Sequence, residues 1–598
     1  AKAEGSPFCA EEITRSLLEE GYLAPNGGGV RKLTRPLEEI RIPGTVQEVI
    51  AARLDRLAPS AKRVVQVAAV LGRQFRRDQL AALLDGEGIG VDGELANLEQ
   101  RGLFHRKSLL ASDEYRFGES LTQEVAYEGL LLKQRRQLHE RIGDLLAREP
   151  GEITAERAAL LAHHLARGDD RGKAIEALLR AADLTERLPS YVTAVDYYRR
   201  AAELADAEPG DERFRRAALT ATSGLARLGV LFGYPSLAET ERAARRGREL
   251  ADALGDTEAQ VGLLYFLGVT TTLSGEFNDG LALSEQAVAL AQRAGLDLMV
   301  LRLSRGLALN HAFDGRFDLS RREIDWVFEQ LGGAEHAGTL SDMYVSAHWM
   351  RNTIAFLADD LDTALSGSHE SHELALRAPN RTVTFGAASM IAQVHFLRGE
   401  YEDALRWADD SLVGAEAIGN VAGFPAPAAI ALASRVTLGR TPDADRYLEL
   451  LDRALAAGST VQTNLRFLAD GLLAVRDLER AERFVEMQQR NPIRSGRLRD
   501  AYTATTLGEL LLHLGRLEES DAAFTWAMAL SDLIGARSTL AAASLGAGEV
   551  AAARGDHAAS VRHLERALGI ARSMRLGRYV PRIERLLGVP SAASSQRA

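Results

Sequence analysis

The side chains with the greatest chemical reach in this sequence are its clustered histidines and its lone cysteine. His163 and His164 are adjacent, and His369 and His372 flank Glu370 and Ser371. A helical zinc site of the H-E-x-x-H kind needs two rings one turn apart, at i and i+4. The second pair is spaced i, i+3 with no third ligand nearby, so both pairs read as solvated helix histidines and no metal site is expected. A single cysteine, Cys9, excludes a disulfide framework and any cysteine-based zinc site. Neither G-x-S-x-G nor a dinucleotide fingerprint occurs, and 83 acidic residues on solvated helices single out no catalytic carboxylate pair. G-x-x-x-x-G-K-[ST] is also absent. Without that loop's N–H cradle and lysine, nothing grips β- and γ-phosphates. No catalytic residue is expected in this chain.

The bulk properties point the same way. The chain has 598 residues, 46% of them hydrophobic, and 72 Lys and Arg against 83 Asp and Glu leave a net charge of −11. That is core enough for a large folded protein and the wrong sign for one whose main task is coating nucleic acid or anionic membrane. No apolar run reaches membrane-spanning length and no secretory signal opens the chain, so a cytoplasmic protein is expected. The first residue is Ala, and all six lysines, Lys2 to Lys173, fall in the first third.

The elements that carry these residues change character along the chain. Residues 1–44 read as a helix from Ala10 to Gly21, a glycine turn at Gly27-Gly28-Gly29 and an extended stretch ending at Pro43. Val46, Val49, Ile50, Leu54 and Leu57 then share one helical face. Pro59-Ser60 opens a second helix, and two more are expected over Arg77–Leu84 and Val91–Arg101. Two short strands, Leu103–His105 and Glu114–Phe117, precede a helix from Leu121 to Arg148. Helices followed by a hairpin outline a winged helix over residues 45–150. Arg101, His105, Arg106 and Lys107 sit at its hairpin, and Lys133, Arg135, Arg136, His139 and Arg141 form a basic helical face. Asp92, Glu94 and Glu99 on the preceding helix would repel phosphates.

From about Leu160 the pattern is helix, turn, helix. Turns at Gly275, Gly315, Asp359, Gly399, Gly439, Arg476, Gly515 and Gly555 are separated by 40, 44, 40, 40, 37, 39 and 40 residues. Around each runs a frame of small and large residues: Leu267-Gly268, Thr271, Gly280, Ser284 and Ala287 in one repeat, and Leu507-Gly508, Leu511, Ser520, Phe524 and Ala527 in another. Small residues let two antiparallel helices approach while larger ones fill the seam. The frame is similar to the tetratricopeptide repeat, with longer helices. The fold expected is mostly α, a winged-helix module followed by a superhelical α-α solenoid over residues 151–590, with a tail at 591–598. Such solenoids bind peptides, proteins or small effectors on a concave face. Counting in the frame places Tyr265, Arg305, Trp349, Gln393, Arg466, Asp470, Tyr502, Glu509 and Glu549 on that face as partner-binding candidates.

Four segments of the first 150 residues carry a family resemblance: Gly5-Ser6-Pro7-Phe8-Cys9-Ala10-Glu11-Glu12-Ile13, the run from Ile42 to Leu57 (IPGTVQEVIAARLDRL), Ala68-Ala69-Val70-Leu71-Gly72-Arg73-Gln74-Phe75, and the run from Phe117 to Tyr127 (FGESLTQEVAY). They resemble segments of signal-transduction ATPases of the STAND type; Glu119 stands where histidine is common in the last. The resemblance implies the order ATPase, winged helix, helical repeats, often joined to a class III nucleotide cyclase. It makes residues 1–44 the end of an ATPase lid, with ATP or ADP and Mg held by a domain ahead of Ala1. It also puts an apolar residue at Cys9, hence a buried thiol. Pro7 resembles a proline that packs near the adenine in that class, although Gly5-Ser6-Pro7 also serves as a plain turn into a helix. On this reading the solenoid binds a protein or small effector and controls the upstream module in cis. The alternative is a transcriptional regulator whose winged helix reads DNA and whose repeats sense an inducer; a third reading is a stand-alone adaptor.

Overall fold

The computed structural model describes residues 21–25, 31–35, 45–107, 113–188, 190–233, 236–332, 339–377, 381–420, 423–440, 444–456, 466–490 and 496–588, with Thr14 and Leu18 ahead of them. Pro7, Cys9, most of the expected first helix and the tail after Gly588 lie outside the described residues. Two compact units divide the chain, Ala1–Leu184 and Thr185–Ala598.

In the first unit β1 (Leu23–Pro25) pairs antiparallel with β2 (Arg31–Leu33), Leu23 opposite Leu33. Helix α1 (Val46–Asp55) starts where the Thr45 hydroxyl accepts the Glu48 N–H at 3.2 Å, an N-cap that satisfies one orphan donor of the first turn. Helix α2 (Pro59–Leu71) opens on a proline, which loses no hydrogen bond there, and turns Val64, Val67 and Ala68 into the core. A short strand β3 (Gln74–Arg76) leads to α3 (Arg77–Leu84) and α4 (Val91–Gln100), followed by β4 (Phe104–Arg106) and β5 (Glu114–Phe117). The strands form one antiparallel sheet in the order β3-β5-β4. Strand β3 has no sequence signature, because three residues are too few to show alternation. It is fixed by pairing Phe75 with Tyr115. Phe75, Phe104, Tyr115 and Phe117 then pack with ring centroids 4.9 to 6.1 Å apart.

The helix expected from Leu121 to Arg148 is two helices, α5 (Ser120–Glu128) and α6 (Leu132–Arg148). Gly129 closes the first, and Leu131 is extended, at ψ 145°. Helix α7 (Ala155–Leu165) belongs to this unit, with the Leu165 side chain against the bare backbone of Gly143 in α6. Helix α8 (Arg171–Arg187) carries the chain into the second unit.

There, α9 (Tyr191–Asp206), α10 (Glu212–Phe232) and α11 (Leu237–Leu254) lead into eight helical hairpins. These are α12 (Thr257–Leu273) with α13 (Phe277–Arg293), α14 (Asp297–Phe313) with α15 (Phe317–Leu331), α16 (Thr339–Leu357) with α17 (Leu361–Arg377), and α18 (Arg381–Arg398) with α19 (Tyr401–Ala417). Next come α20 (Pro425–Thr437) with α21 (Ala444–Ala456), α22 (Leu468–Ala474) with α23 (Leu478–Arg490), α24 (Arg497–His513) with α25 (Leu517–Ile534), and α26 (Arg537–Ala553) with α27 (His557–Ser573). A short α28 (Val580–Leu586) follows. Each of the eight turns read from the sequence has a residue at positive φ, including the two that are not glycine, Asp359 at 64° and Arg476 at 56°. The small-residue frame sits at the helix crossings. A Cβ on Gly268 would lie 2.5 Å from Ser284 Oγ and 2.8 Å from the Gly280 carbonyl oxygen, and one on Gly508 2.7 Å from the Phe524 ring. Ion pairs repeat at the same step between neighbouring hairpins, as in Arg246–Asp206 at 2.9 Å and Arg440–Glu402 at 2.6 Å.

The first helices of the later hairpins are more deeply enclosed than their partners. Helix α24 buries twelve of its 17 residues, whereas its outer partner α25 buries four of 18. The reason is contact between successive turns of the superhelix. Arg497 grips Asp314 across 183 residues, the Ser538 N–H donates to Asp359 across 179, and the Arg578 N–H donates to the Leu397 carbonyl across 181. One superhelical turn is therefore about four and a half hairpins, and the end of a first helix in one turn meets the start of a first helix in the next.

Candidate partner-binding face

The nine residues picked by counting are all buried or half-buried, and the inner side is not an open concave surface. Superhelical stacking brings the chain's own later segments against it.

Near the start of the array, the Tyr265 hydroxyl reaches the Gly306 backbone beside Arg305. Burial pushes the Tyr265 phenol up and the Arg305 guanidinium down. Arg305 Nε has no hydrogen-bond partner among the described residues, nor does Trp349 Nε1. The Trp349 indole lies over Gly386, where a Cβ would sit 2.8 Å from the ring, and packs with Val345, Leu374 and Val383. Gln393 is buried and donates to Ser389 Oγ at 3.3 Å. These four occupy successive first helices and form no single cluster.

The other five converge in two groups. Arg466 donates to the Tyr502 hydroxyl at 3.3 Å and to Ser538 Oγ at 2.6 Å, and its guanidinium lies 4.7 Å from the Tyr502 ring centroid and 5.5 Å from that of Phe356. Burial raises the Tyr502 phenol to about 12, partly offset by Arg466. Asp359, whose carboxyl burial also pushes up, completes this group through Ser538. The second group is acidic. Asp470, Glu509 and Glu549 stand at steps of 39 and 40 on α22, α24 and α26. Asp470 takes Arg578 in a two-pronged ion pair, with Nη1 to Oδ2 at 2.9 Å, and Glu549 takes Arg582 at 2.8 and 2.7 Å. Glu509 feels both guanidiniums, yet burial and the neighbouring carboxylates push it up to about 8.

Residues that counting missed matter as much. Arg578 and Arg582 follow the last hairpin, so no frame position marks them; their spacing of four residues around the start of a final short helix is the available signal. Arg499 is buried with its guanidinium carbon 3.5 Å from the Phe313 ring centroid, pushed down to about 9, and its Nε and Nη1 lack partners among the described residues.

The histidines divide. His164 is buried rather than solvated: its Nδ1 lies 3.0 Å from His139 Nδ1, and His139 Nε2 lies 3.0 Å from the Tyr127 hydroxyl. Burial lowers His139 to about 4 and His164 to about 3, so both rings are neutral near pH 7. His139 therefore does not belong to the exposed basic face. His369 and His372 each stand edge-on to Trp407, with ring centroids 5.2 Å away. Among the described residues no group of three or more His, Cys, Asp or Glu is placed to hold a metal ion, and no helix is long and apolar enough to cross a membrane. Four of the basic residues on the hairpin and the basic helical face have carboxylate partners: Arg106 pairs with Asp113, Lys107 with Glu114, Arg136 with Asp169 and Arg141 with Glu87.

No family model matches the chain, and no curated protein does. Among solved structures it is similar to a STAND protein with a tetratricopeptide repeat sensor from Pyrococcus horikoshii, at 13% identity and a TM-score of 0.31, over 70% of this chain and 66% of that one. It thus spans just under two thirds of that protein. A Rap protein complexed with competence and sporulation factor matches at 11% identity and TM-score 0.41, over 68% and 94%. Aspartyl phosphate phosphatase F from Bacillus subtilis matches at 12% and 0.32, over 68% and 95%. None of these reaches an identity or overlap that places the chain in a family.

Proposed function

We propose that the chain is the regulatory arm of a STAND-type signalling ATPase, with residues 45–150 as a winged helix and the hairpin array as the sensor of a protein or peptide partner. The observation that carries the sensor reading is the polarity of the enclosed inner wall. A scaffold that only supported itself would line these helices with apolar residues, because each buried polar group costs free energy unless paired. Here Arg305, Trp349 and Arg499 keep donors without acceptors among the described residues, and arginines, tyrosines and carboxylates recur at the repeat step. Such donors suit the carbonyl and carboxylate oxygens of a bound chain.

The regulatory half rests on the four motif segments and on the succession of helices and three-stranded sheet between Val46 and Phe117. Partner binding on the array would bias contacts between the winged helix and an ATPase domain holding ATP or ADP with Mg, so the two sites share one coupling free energy. A class III nucleotide cyclase is the effector this reading favours. The DNA reading is less favoured, because Asp92 holds Arg77 at 2.6 Å and the hairpin cations Arg106 and Lys107 have carboxylate partners. The test is a pulldown comparing the intact chain with Trp349→Ala and Arg466→Glu. Loss of the same captured protein in both variants supports the proposal; unchanged capture in both contradicts it. A salt-titrated mobility shift with duplex DNA separates the alternative, which requires binding that falls steeply with salt.

A further inference from the structure

The acidic group on α22, α24 and α26 is a stripe, one carboxylate per hairpin at the same place in three consecutive first helices. What fills it belongs to no repeat. After α27 the chain turns at Arg575, held at φ 55°, and runs as a strap from Leu576 to Gly588. Gly577 lies against the Arg398 carbonyl and the Arg578 N–H bonds Leu397 O. Arg578, in the turn just before α28, and Arg582, in the first turn of that helix, then point into the stripe. Both pairings are two-pronged, a geometry that selects guanidinium over ammonium. Arg578 also lies with its guanidinium carbon 4.4 Å from the Phe396 ring centroid.

One feature shows that the strap fits this seat incompletely. Three carboxyl groups meet two guanidiniums, the ion pairs use Asp470 and Glu549, and Glu509 is left with no guanidinium of its own. An open depression of about 430 Å³ borders the strap, lined by Arg398, Glu400, Arg572, Arg575, Gly577 and Val580.

We propose that the strap is an internal stand-in for the partner: Asp470, Glu509 and Glu549 form a docking seat for a turn-to-helix segment of another protein that presents two arginines four residues apart, and Arg578 and Arg582 occupy it until that segment displaces them. This deepens the sensor reading and rests on the inner face being the binding face. A partner segment with a third cation opposite Glu509 would pair that carboxyl in its ionised form, which the strap does not do, and this gives it an advantage in the exchange. Displacement would also remove the Gly577 and Arg578 contacts with Arg398 and Leu397, opening one of the stacked superhelical contacts. Binding at the seat would thereby change the spacing of the turns.

The test uses the full chain and a fluorescent synthetic peptide with the strap's sequence, Leu576 to Gly588. The peptide should bind the Arg578→Ala, Arg582→Ala double variant at least tenfold more tightly than the unaltered chain. Adding Glu549→Gln to that variant should weaken binding at least tenfold, and so should alanines at both arginines of the peptide. Equal binding to the unaltered chain and the double variant, or indifference to Glu549→Gln, overturns the proposal. Hydrogen exchange on the unaltered chain gives a readout free of any folding defect in the variants. Amides of 576–588 should exchange at least tenfold faster than those of α24 and α26, and exchange of all three segments together at one slow rate overturns it. If the strap idea fails while Trp349→Ala and Arg466→Glu still abolish capture, the sensor reading stands alone; if those variants also leave capture unchanged, both fall.

Discussion

Replacing Glu509 by glutamine should make the array more stable at neutral and alkaline pH while leaving it unchanged in mild acid. Burial, followed by the repulsion of Asp470, raises this carboxyl from 4.5 to about 8, against the pull of Arg578 and Arg582. The folded state therefore holds a proton that the unfolded chain releases above about 4.5. Stability is greatest below that value, falls as pH rises through the window, and the loss is complete above about 8. The slope is about 1 kcal/mol per pH unit. Between about pH 5.5 and 7.5 the wild type should lose about 2 kcal/mol through this group. Glutamine keeps the shape and cannot ionise. Urea unfolding followed by circular dichroism at both pH values should show matching midpoints in acid and a higher one for Glu509→Gln at about pH 7.5. Burial lowers His348, His369 and His563, which gives slopes of opposite sign, but these are common to both proteins and cancel in the comparison. A variant equally destabilised at both pH values, or a difference independent of pH, would refute the reasoning.

The other expectations concern the frame, the turns and the buried histidines. Gly268→Ala should destabilise by about 2 kcal/mol, because its Cβ meets Ser284 and the Gly280 carbonyl. Gly569→Ala, on the exposed face of α27 with nothing within 4 Å, should gain about 1 kcal/mol; thermal melts of the two distinguish a packing frame from mere glycine content. Arg476→Gly should raise stability by about 0.5–1 kcal/mol in urea by relieving a left-handed arginine. Asp359→Gly should lower it, since that carboxylate accepts the Ser538 N–H at 2.9 Å. His139 and His164, held at about 4 and about 3, contribute stability that is full above about 6.5 and lost as pH falls toward 4. Imidazole NMR should show neither ring titrating above about pH 5, and a transition near 6.5 in either would contradict their burial.

The repeat was legible because its determinants are local. A positive-φ turn, a small residue at each crossing and a large one in the seam all lie within about 40 residues, and they recur even where Asp359 and Arg476 replace glycine. Superhelical stacking was not legible. It arises from a small rotation per hairpin accumulated over about four and a half of them, so that Arg497 meets Asp314 and the Arg578 N–H meets the Leu397 carbonyl with nothing in the neighbouring sequence to announce it. Counting could therefore say that Tyr502 and Glu509 face inward, but not that the chain itself covers them. Local pattern failed for similar reasons in the first unit. Which of His163 and His164 enters the core depends on His139 of α6, and β3 exists only because Tyr115 pairs with Phe75.

The most direct measurement is site-specific photo-crosslinking from inner and outer positions of the full chain to the protein it captures. A photoreactive residue at position 305 or 549, on the inner wall, should crosslink that protein, while one at the exposed outer positions of Trp326 or Trp526 should not. Crosslinks from the outer positions with none from the inner ones would contradict the inner face as the sensor surface.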